Sequence, residues 1–539
     1  MVEFLLGNEA VALGAIDAGI RGAFSYPGTP ATEIMEFVRQ HDEHDGSIVA
    51  RWSANEKVAY EEAMGMSFVG QRSLVSMKHV GLNVAADPFM SSALTGALGA
   101  LVLAVSDDPG MHSSQNEQDT RFYADFARLP MFEPSNQQEC YEMTREAFEL
   151  SERFGLPVVI RLVMRISHSR GIVQRGPSNP SRRGDLGRGN PCDWTLLPPN
   201  ARRRSLRLHE LQSELLDYSH RSRFNKLRLQ GPRGVIACGV SHNYVCEALG
   251  QHFTHSLLKL CTYPVPINLI WRLVDHCEEI LVVEEGYPLV ESKLTGLLGL
   301  PGKAIHGRCD GALPPDGELT VDLLRKALGL CASPSGMLPE AVAPRPPCLC
   351  QGCPHCDTFK VITDAAGTGG EPYYFSDIGC YTLGAYPPHN AIHACVDMGA
   401  SIGMALGASR AGAHPVIATI GDSTFTHSGM APLLQAAHEN ANMTVVIMDN
   451  SGIAMTGGQD IFITGDAFIP LLRGLGVDAR HIGLIDPIQK EHGRNVELLR
   501  KEIAYHGLSV VLACRPCIHL KRRAAQTPTT HDSAVTSTL

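Results

Sequence analysis

Over residues 1–175 the chain alternates short apolar runs with stretches whose apolar positions recur at helical spacing. GAFSYPGT, RSLVSMKHV, LGALVLAVSDDPG and LPVVIRLVMR each close on turn or polar residues. That rhythm predicts parallel strands joined by crossover helices, since parallel neighbours need a long connection that packs back onto the sheet. The longest apolar run, about Ala93 to Val105, is broken by glycine and runs into Asp107 and Asp108. It is too short to cross a bilayer and reads as a buried helix and strand. Residues 176–232 lose the alternation and are rich in Arg, Pro, Ser and Asn, which predicts a solvated linker with a surface helix near Leu206 to Tyr218. A second α/β stretch, 233–330, carries GVIACGV and EEILVVEEG. APRPP near 343–347 marks a boundary, and a third stretch, 348–520, carries PYYFSDIG, HPVIATIGDS, MTVVIMDNS and LSVVLACRP. Residues 521–539 are polar and predict a disordered tail. The expected class is α/β, with several doubly wound parallel-sheet domains.

Composition narrows the picture. At 539 residues the chain is too long for one core. Hydrophobic residues at 44%, charged residues at 19% and 52 glycines suit compact α/β domains with tight strand-to-helix turns. A net charge of -10, without basic and aromatic interleaving, argues against nucleic acid as a partner. The first residues bear Glu3, Glu9 and Asp17 and no basic leader, so no signal peptide or membrane anchor is expected and the location implied is cytoplasmic. The 16 cysteines then point to metal ligation, redox chemistry or plain burial rather than a disulfide framework.

The most informative stretch is HPVIATIGDSTFTHSGMAPLLQAAHENANMTVVIMDNSG. A strand ending at Ile420, a tight Gly421-Asp422-Ser423 turn, a helix from about Gly429 to Glu439 and a strand ending at Asp449-Asn450 form one βαβ crossover. Asp422 and Asn450 then stand at the carboxyl ends of two strands, where open α/β sheets bind ligands. A carboxylate, an amide oxygen and the carbonyl of Gly452 suit Mg2+, and the helix start offers N–H groups to a diphosphate. An Asp cap followed by an Asx turn would need no ligand, but the spacing within one crossover favours a site.

From GDS to DNS the stretch resembles the thiamine-diphosphate motif of the transketolase and 2-oxoacid enzymes, with Ser423 where a third Gly is usual. YPGTPATEI, NEKVA, MKHVGLNVAADP and DDPGMHSSQNEQDTRFYA, with CQGCPH, SDIGCYTLG and DMGASIG, resemble the large (alpha) subunit of the indolepyruvate:ferredoxin oxidoreductases over nearly the whole chain. The resemblance implies a pyrimidine-binding domain at 1–175, a transketolase C-terminal-like domain at 233–330 and a diphosphate-binding domain at 348–520. It implies that Asp422, Asn450 and Gly452 hold Mg2+. Gly421, Ser423, Asp377, Gly379, Met398, Gly399 and Asn83 are implied to bind the cofactor. It makes Glu56, at the head of a helix, the acid that hydrogen-bonds the aminopyrimidine and promotes proton loss from thiazolium C2, with Thr29, Lys78 and His79 beside the reaction. Glu61 and Glu62 read as exposed helix charges. Glu56 could also be an acid favoured by the helix dipole, Thr29 a cap before a helix started by Pro30, and His79 a buried structural histidine.

The same resemblance implies a [4Fe-4S] cluster held by Cys350, Cys353, Cys380 and Cys517, since a two-electron oxidation without hydride transfer needs an acceptor of single electrons. Zinc would take the same thiolates, Cys348, Cys356 and Cys514 compete for individual positions, and Cys238, Cys246 and Cys261 read as buried free thiols. The implied reaction converts an aryl 2-oxoacid to an acyl-coenzyme A. The implied partners are a small gamma-type (beta) subunit and ferredoxin or a ferredoxin-like subunit. The family commonly ends in a ferredoxin-like domain with two C-x-x-C-x-x-C-x-x-x-C-P runs, and this chain has neither, which leaves the electron acceptor open. Two further readings remain: a non-oxidative thiamine decarboxylase or carboligase, and a non-catalytic electron-transfer or scaffold subunit.

Overall fold

In a computed structural model that describes residues 1–178, 186, 189–250, 254–331, 347–367 and 371–526, each long apolar run becomes a strand of a mainly parallel sheet. The chain forms two compact units, Met1–Leu338 and Pro339–Leu539. No helix among the described residues is long and apolar enough to cross a membrane.

The first unit holds two α/β layers. Seven strands run in the order Thr262–Tyr263, Met131–Phe132, Val158–Val163, Leu101–Asp107, Ser73–Lys78, Gly22–Ser25, Val49–Trp52, all parallel except the first pair. Ser73–Lys78, Leu101–Asp107 and Val158–Val163 are buried at every position, so both sheet faces are covered and their sequences read as continuous apolar runs. The helices Gly7–Asp17 and Gln137–Phe154 cross so tightly that a Cβ on Gly14 would stand 2.6 Å from the carbonyl oxygen of Tyr141. A five-stranded sheet follows, ordered Ala304–His306, Glu279–Val283, Arg233–Cys238, Ser256–Leu260, Lys226–Arg228, with only the last pair antiparallel.

The two layers are stitched by Thr262–Tyr263, which leaves the second to pair with Met131–Phe132 of the first, and by a fully buried ionic cluster. Arg121 donates to Asp119 Oδ2 at 2.6 Å and to Glu284 Oε2 at 2.7 Å, Arg161 donates to Asp107 Oδ2 at 2.7 Å and is paired with Glu133, and both guanidinium groups donate to the Glu285 carbonyl at 3.0 Å.

The surface helix expected near Leu206 to Tyr218 is longer, Pro198–Arg221, and is not simply solvated. Leu208, Leu211 and Leu215 are buried on it. Its Arg204 donates to the carbonyls of Leu94 at 2.6 Å and Thr95 at 3.1 Å, which satisfies open acceptors at the end of the helix Ala86–Thr95.

The second unit is one sheet of six parallel strands, in the order Ala394–Cys395, Tyr373–Ser376, Val416–Gly421, Met443–Asp449, Leu508–Cys514, Ile482–Ile485. Separate apolar cores cover its two faces, which is the doubly wound arrangement. The helix after Val416–Gly421 begins at once, with Asp422–Thr424 as its first turn, a π-helical turn over Phe425–Gly429 and an α-helix over Met430–His438. It thus starts at Asp422, inside the tight turn expected from the sequence and seven residues before the helix start expected near Gly429. A last helix, Ile518–Gln526, occupies the start of the expected disordered tail, and 527–539 lie outside the described residues.

Candidate functional site

In the second unit, parallel register places the chemistry at one end of the sheet. Asp377, Asp422, Asn450 and Cys517 follow the carboxyl ends of four consecutive strands, the usual place for a ligand in such a sheet. Asp422 Oδ1 accepts from the Ser423 N–H at 2.7 Å, and Oδ2 accepts from the N–H groups of Asn450 and Ser451 at 3.0 and 2.9 Å. Burial lifts the Asp422 carboxyl to about 7, despite those N–H donors, and the neighbouring Asp449 adds to the rise. The amide of Asn450 lies 2.8 Å from Gly452 O and 3.2 Å from Asp422 Oδ2. With its oxygen on that side, three oxygens converge with no donor among them, and a hard cation is what would hold such a trio together. The residues therefore fit Mg2+.

The other positions expected around the cofactor serve varied ends. Asp377 is fully buried, its oxygens accepting from the N–H groups of Gly399 and, at 3.0 Å, Ser401, so it holds the start of the helix Ala400–Arg410. Gly399 has φ 95, and a Cβ there would meet Ser428 at 2.4 Å. A Cβ on Gly421 would meet the ring of Tyr381 at 2.7 Å. Gly379 donates to Thr382 Oγ1 at 3.0 Å, Ser423 is buried and Met398 half-buried.

In the first unit, Glu56 is buried at the first position of the helix Glu56–Phe68, whose N-cap Asn55 accepts from Val58 N at 2.9 Å. A Cβ on Gly81 would lie 2.6 Å from Glu56 Oε1, so the glycine makes room for the carboxyl beside the helix His79–Val84. Glu61 and Glu62 are exposed, paired with Lys57 and Ser53. Lys78 ends its strand, donates to the Ser113 carbonyl at 2.6 Å and is pushed down to about 8 by burial, against the pull of Asp108. Ser113 Oγ in turn donates to Thr29 O at 3.4 Å. His79 Nε2 lies 3.2 Å from Asn116 O, and its buried Nδ1 has no partner among the described residues. Asn83 is exposed and accepts from the Tyr123 hydroxyl at 2.6 Å. The helix His79–Val84 thus lies against Glu56 at Gly81, and Thr29 is linked to Lys78 through Ser113. Thr29 is not a helix cap, because the helix starts at Thr32, whose Oγ1 accepts from Gly28 N at 3.0 Å.

A relative from Archaeoglobus fulgidus, the indolepyruvate oxidoreductase subunit IorA, is 39% identical over 97% of this chain and 87% of its own length. The chain belongs to the IorA family. The IorA subunit of Thermococcus kodakarensis is 36% identical over 98% of the chain and 88% of its own. Within this IorA-family chain, residues 13–185 match the thiamine-diphosphate-binding model of pyruvate flavodoxin/ferredoxin oxidoreductases, and 377–469 match the C-terminal binding domain of thiamine pyrophosphate enzymes. A 2-oxoglutarate:ferredoxin oxidoreductase structure from Magnetococcus marinus shares the fold, with a TM-score of 0.50 and 17% identity over 61% of this chain and 65% of that one.

The cysteines of this IorA-family chain that were expected around a cluster stand near one another. Burial lifts the Cys353 thiol to about 12, with Cys356, Cys350 and Cys380 adding to it, and the Cys380 thiol to about 11, with Cys517 and Cys350 adding. Among the described residues no three His, Cys, Asp or Glu side chains meet as ligands of one metal ion would. A cubane does not need that, since each of its four thiolates binds a different iron. Cys517 is tied to the other centre, its N–H donating to Asn450 O at 2.9 Å. Cys238 and Cys261 are buried as expected, whereas Cys246 is exposed beside His242.

Several polar residues of these regions escaped sequence reasoning. Asp108 and Ser113 lie in a quoted motif, DDPGMHSS, but nothing local marks them as neighbours of Lys78. His355, whose Nε2 lies 3.3 Å from Asn450 Nδ2, is 95 residues away from it in the chain. Burial holds its imidazole down at about 4, hence neutral.

Proposed function

We propose that this chain is the thiamine-diphosphate-binding subunit of an oxidoreductase that converts an aryl 2-oxoacid, of the indolepyruvate kind, to an acyl-coenzyme A. For each 2-oxoacid and coenzyme A thiol consumed, carbon dioxide, one proton and two electrons are released. The electrons leave singly through a [4Fe-4S] cluster on Cys350, Cys353, Cys380 and Cys517 to ferredoxin or a partner subunit of the small gamma type. The observation that carries the reading is the convergence of the Asp422 carboxylate, the Asn450 amide and the Gly452 carbonyl at adjacent strand ends. The names of the relatives support the substrate class.

Bound thiamine diphosphate would supply a thiazolium carbon able to attack a 2-oxo group. Asp422, Asn450 and Gly452 would hold Mg2+ against the diphosphate, and Asp377 keeps Gly399 and Ser401 in place. Glu56 would hydrogen-bond the aminopyrimidine and keep the proton needed for activation within reach. Lys78, charged below about pH 8, offers its ammonium to the substrate carboxylate, with Thr29, His79 and Asn83 around it.

The test is an anaerobic assay of the purified complex with coenzyme A and a viologen dye, across indolepyruvate, phenylpyruvate, pyruvate and 2-oxoglutarate. Dye reduction strongest with the aryl substrates, strictly dependent on coenzyme A and lost in Glu56→Gln, is the expected result. Carbon dioxide release without dye reduction, in protein free of iron and sulfide, would make the chain a non-oxidative decarboxylase. Unchanged oxidation in Glu56→Gln would remove Glu56 from the reaction.

A further inference from the structure

The Asn450 amide can be placed in two ways, and its neighbours favour different ones. In the first, its nitrogen donates to Gly452 O at 2.8 Å and Asp422 Oδ2 at 3.2 Å, which fills the space between these oxygens with hydrogen. In the second, the nitrogen donates to His355 Nε2 at 3.3 Å and the amide oxygen faces Asp422 and Gly452. Only the second offers a cation three oxygens at once. An amide has no charge of its own to choose between them, so the choice falls to the partner on its far side.

That partner is held firmly. His355 is buried in the first turn of the helix Pro354–Ala366. Its ring meets Tyr381 edge-on, with centroids 5.7 Å apart and planes at 74°. Tyr381 fills the space above Gly421 and donates to Thr424 Oγ1 at 3.2 Å, so the strand end that presents Asp422 also backs the imidazole. His355 follows Cys353, the N-cap of this helix, by two residues. The residue thus stands two positions from a candidate cluster thiol and touches a candidate cation ligand through its side chain.

We propose that His355 is a positioning residue for the cation site: its Nε2 accepts from Asn450 Nδ2 and thereby turns Asn450 Oδ1 toward Asp422 Oδ2 and Gly452 O. The proposal rests on the reading of the second unit as the magnesium and diphosphate site. It assigns His355 no contact with substrate or cofactor. The imidazole keeps the amide from turning into the hydrogen-bonded state that blocks the cation, and it sets the Mg2+ concentration at which the site fills.

The test measures thiamine diphosphate binding by calorimetry as a function of Mg2+, using the full chain purified anaerobically with its copurifying subunit. The variants are His355→Phe, which keeps the ring packing on Tyr381 but has no acceptor, and His355→Gln, which keeps an acceptor. Loss of an outer-shell partner should raise the half-saturating Mg2+ by about 10- to 100-fold in H355F. In H355Q the expected change is under about threefold, because the acceptor is restored. Thermal unfolding without cation separates folding from cation binding, and if H355F does not fold, His355→Met replaces it under the same criteria. Equal Mg2+ requirements in H355F and wild type overturn the proposal, as does an equal rise in H355F and H355Q, which would mean that ring packing alone matters. If the wild type itself shows no Mg2+-dependent binding, the reading of the site has failed, and not the role of His355 within it.

Discussion

Both units bury carboxylates, and they answer the charge in opposite ways. In the first, Asp107, Asp119, Glu133 and Glu284 are buried face to face with the guanidinium groups of Arg121 and Arg161, although burial still pushes Asp107 and Glu284 upward. In the second, Asp422 is buried among backbone N–H donors with Asp449 for a charged neighbour, and its carboxyl is lifted to about 7. A buried charge must be paired, hydrogen-bonded or neutralised. The arginine cluster is complete within the chain and serves to join two sheets. At Asp422 no cationic side chain answers the carboxylate, and under the proposed reading a cation would take that place.

The contrast can be broken from the structural side first. Arg161→Met leaves Asp107 and Glu133 buried without their counter-charge, and removing one partner of a buried pair costs about 3–5 kcal/mol. The urea midpoint of the full chain should fall accordingly, and a loss below about 1 kcal/mol would show the cluster to be hydrated rather than sealed.

Asp422→Asn should behave in the reverse sense. It removes a carboxylate that the protein strains to keep charged, so thermal stability in cation-free buffer holds or rises. Mg2+-dependent binding of thiamine diphosphate should weaken by more than the roughly 10- to 100-fold that outer-shell changes cost. Calorimetry that finds wild-type affinity in this variant would show that Asp422 is structural.

Lys78 sharpens the comparison at a smaller scale, since it is a half-paired cation in the first unit. It is charged below about pH 8 and neutral above, so KM for the oxoacid should climb above pH 8, by roughly tenfold per unit. A hydrogen bond to a charged group contributes about 1.5–3 kcal/mol, so Lys78→Met should raise KM by roughly 10- to 100-fold and flatten that pH profile. A wild-type KM in the variant would put the substrate carboxylate elsewhere.

The smallest effect belongs to Glu61, one turn beyond Glu56 on the same helix. Its exposed pairing with Lys57 contributes about 0.3–0.5 kcal/mol. Glu61→Gln should therefore leave turnover and unfolding nearly unchanged, and a large loss of activity would move the pyrimidine-side acid from Glu56 to Glu61.

Much of the architecture is legible along the chain, for a physical reason. Strands such as Val158–Val163 and Met443–Asp449 are covered on both faces, and burial on both faces writes itself as an unbroken apolar run. The short edge strands Thr262–Tyr263 and Ala394–Cys395 leave no such trace, because a two-residue ladder carries no period and exists only where a neighbour is waiting. The linker helix was legible in kind and not in extent, since Arg204 reads as a solvated charge until the carbonyls of Leu94 and Thr95 are placed beside it.

By itself, the sequence determined the α/β class, the order of the strands along the chain and the pairing of Asp422 with Asn450, all of which rest on local pattern and on one crossover. Only the tertiary structure decided which buried acids face guanidinium groups and which face backbone N–H groups, because the compensating groups lie far away in sequence. Arg121 is 163 residues from Glu284, and His355 is 95 residues from Asn450. Charges and hydrogen bonds in a low-dielectric interior act over a few ångströms of space, and sequence distance has no bearing on them.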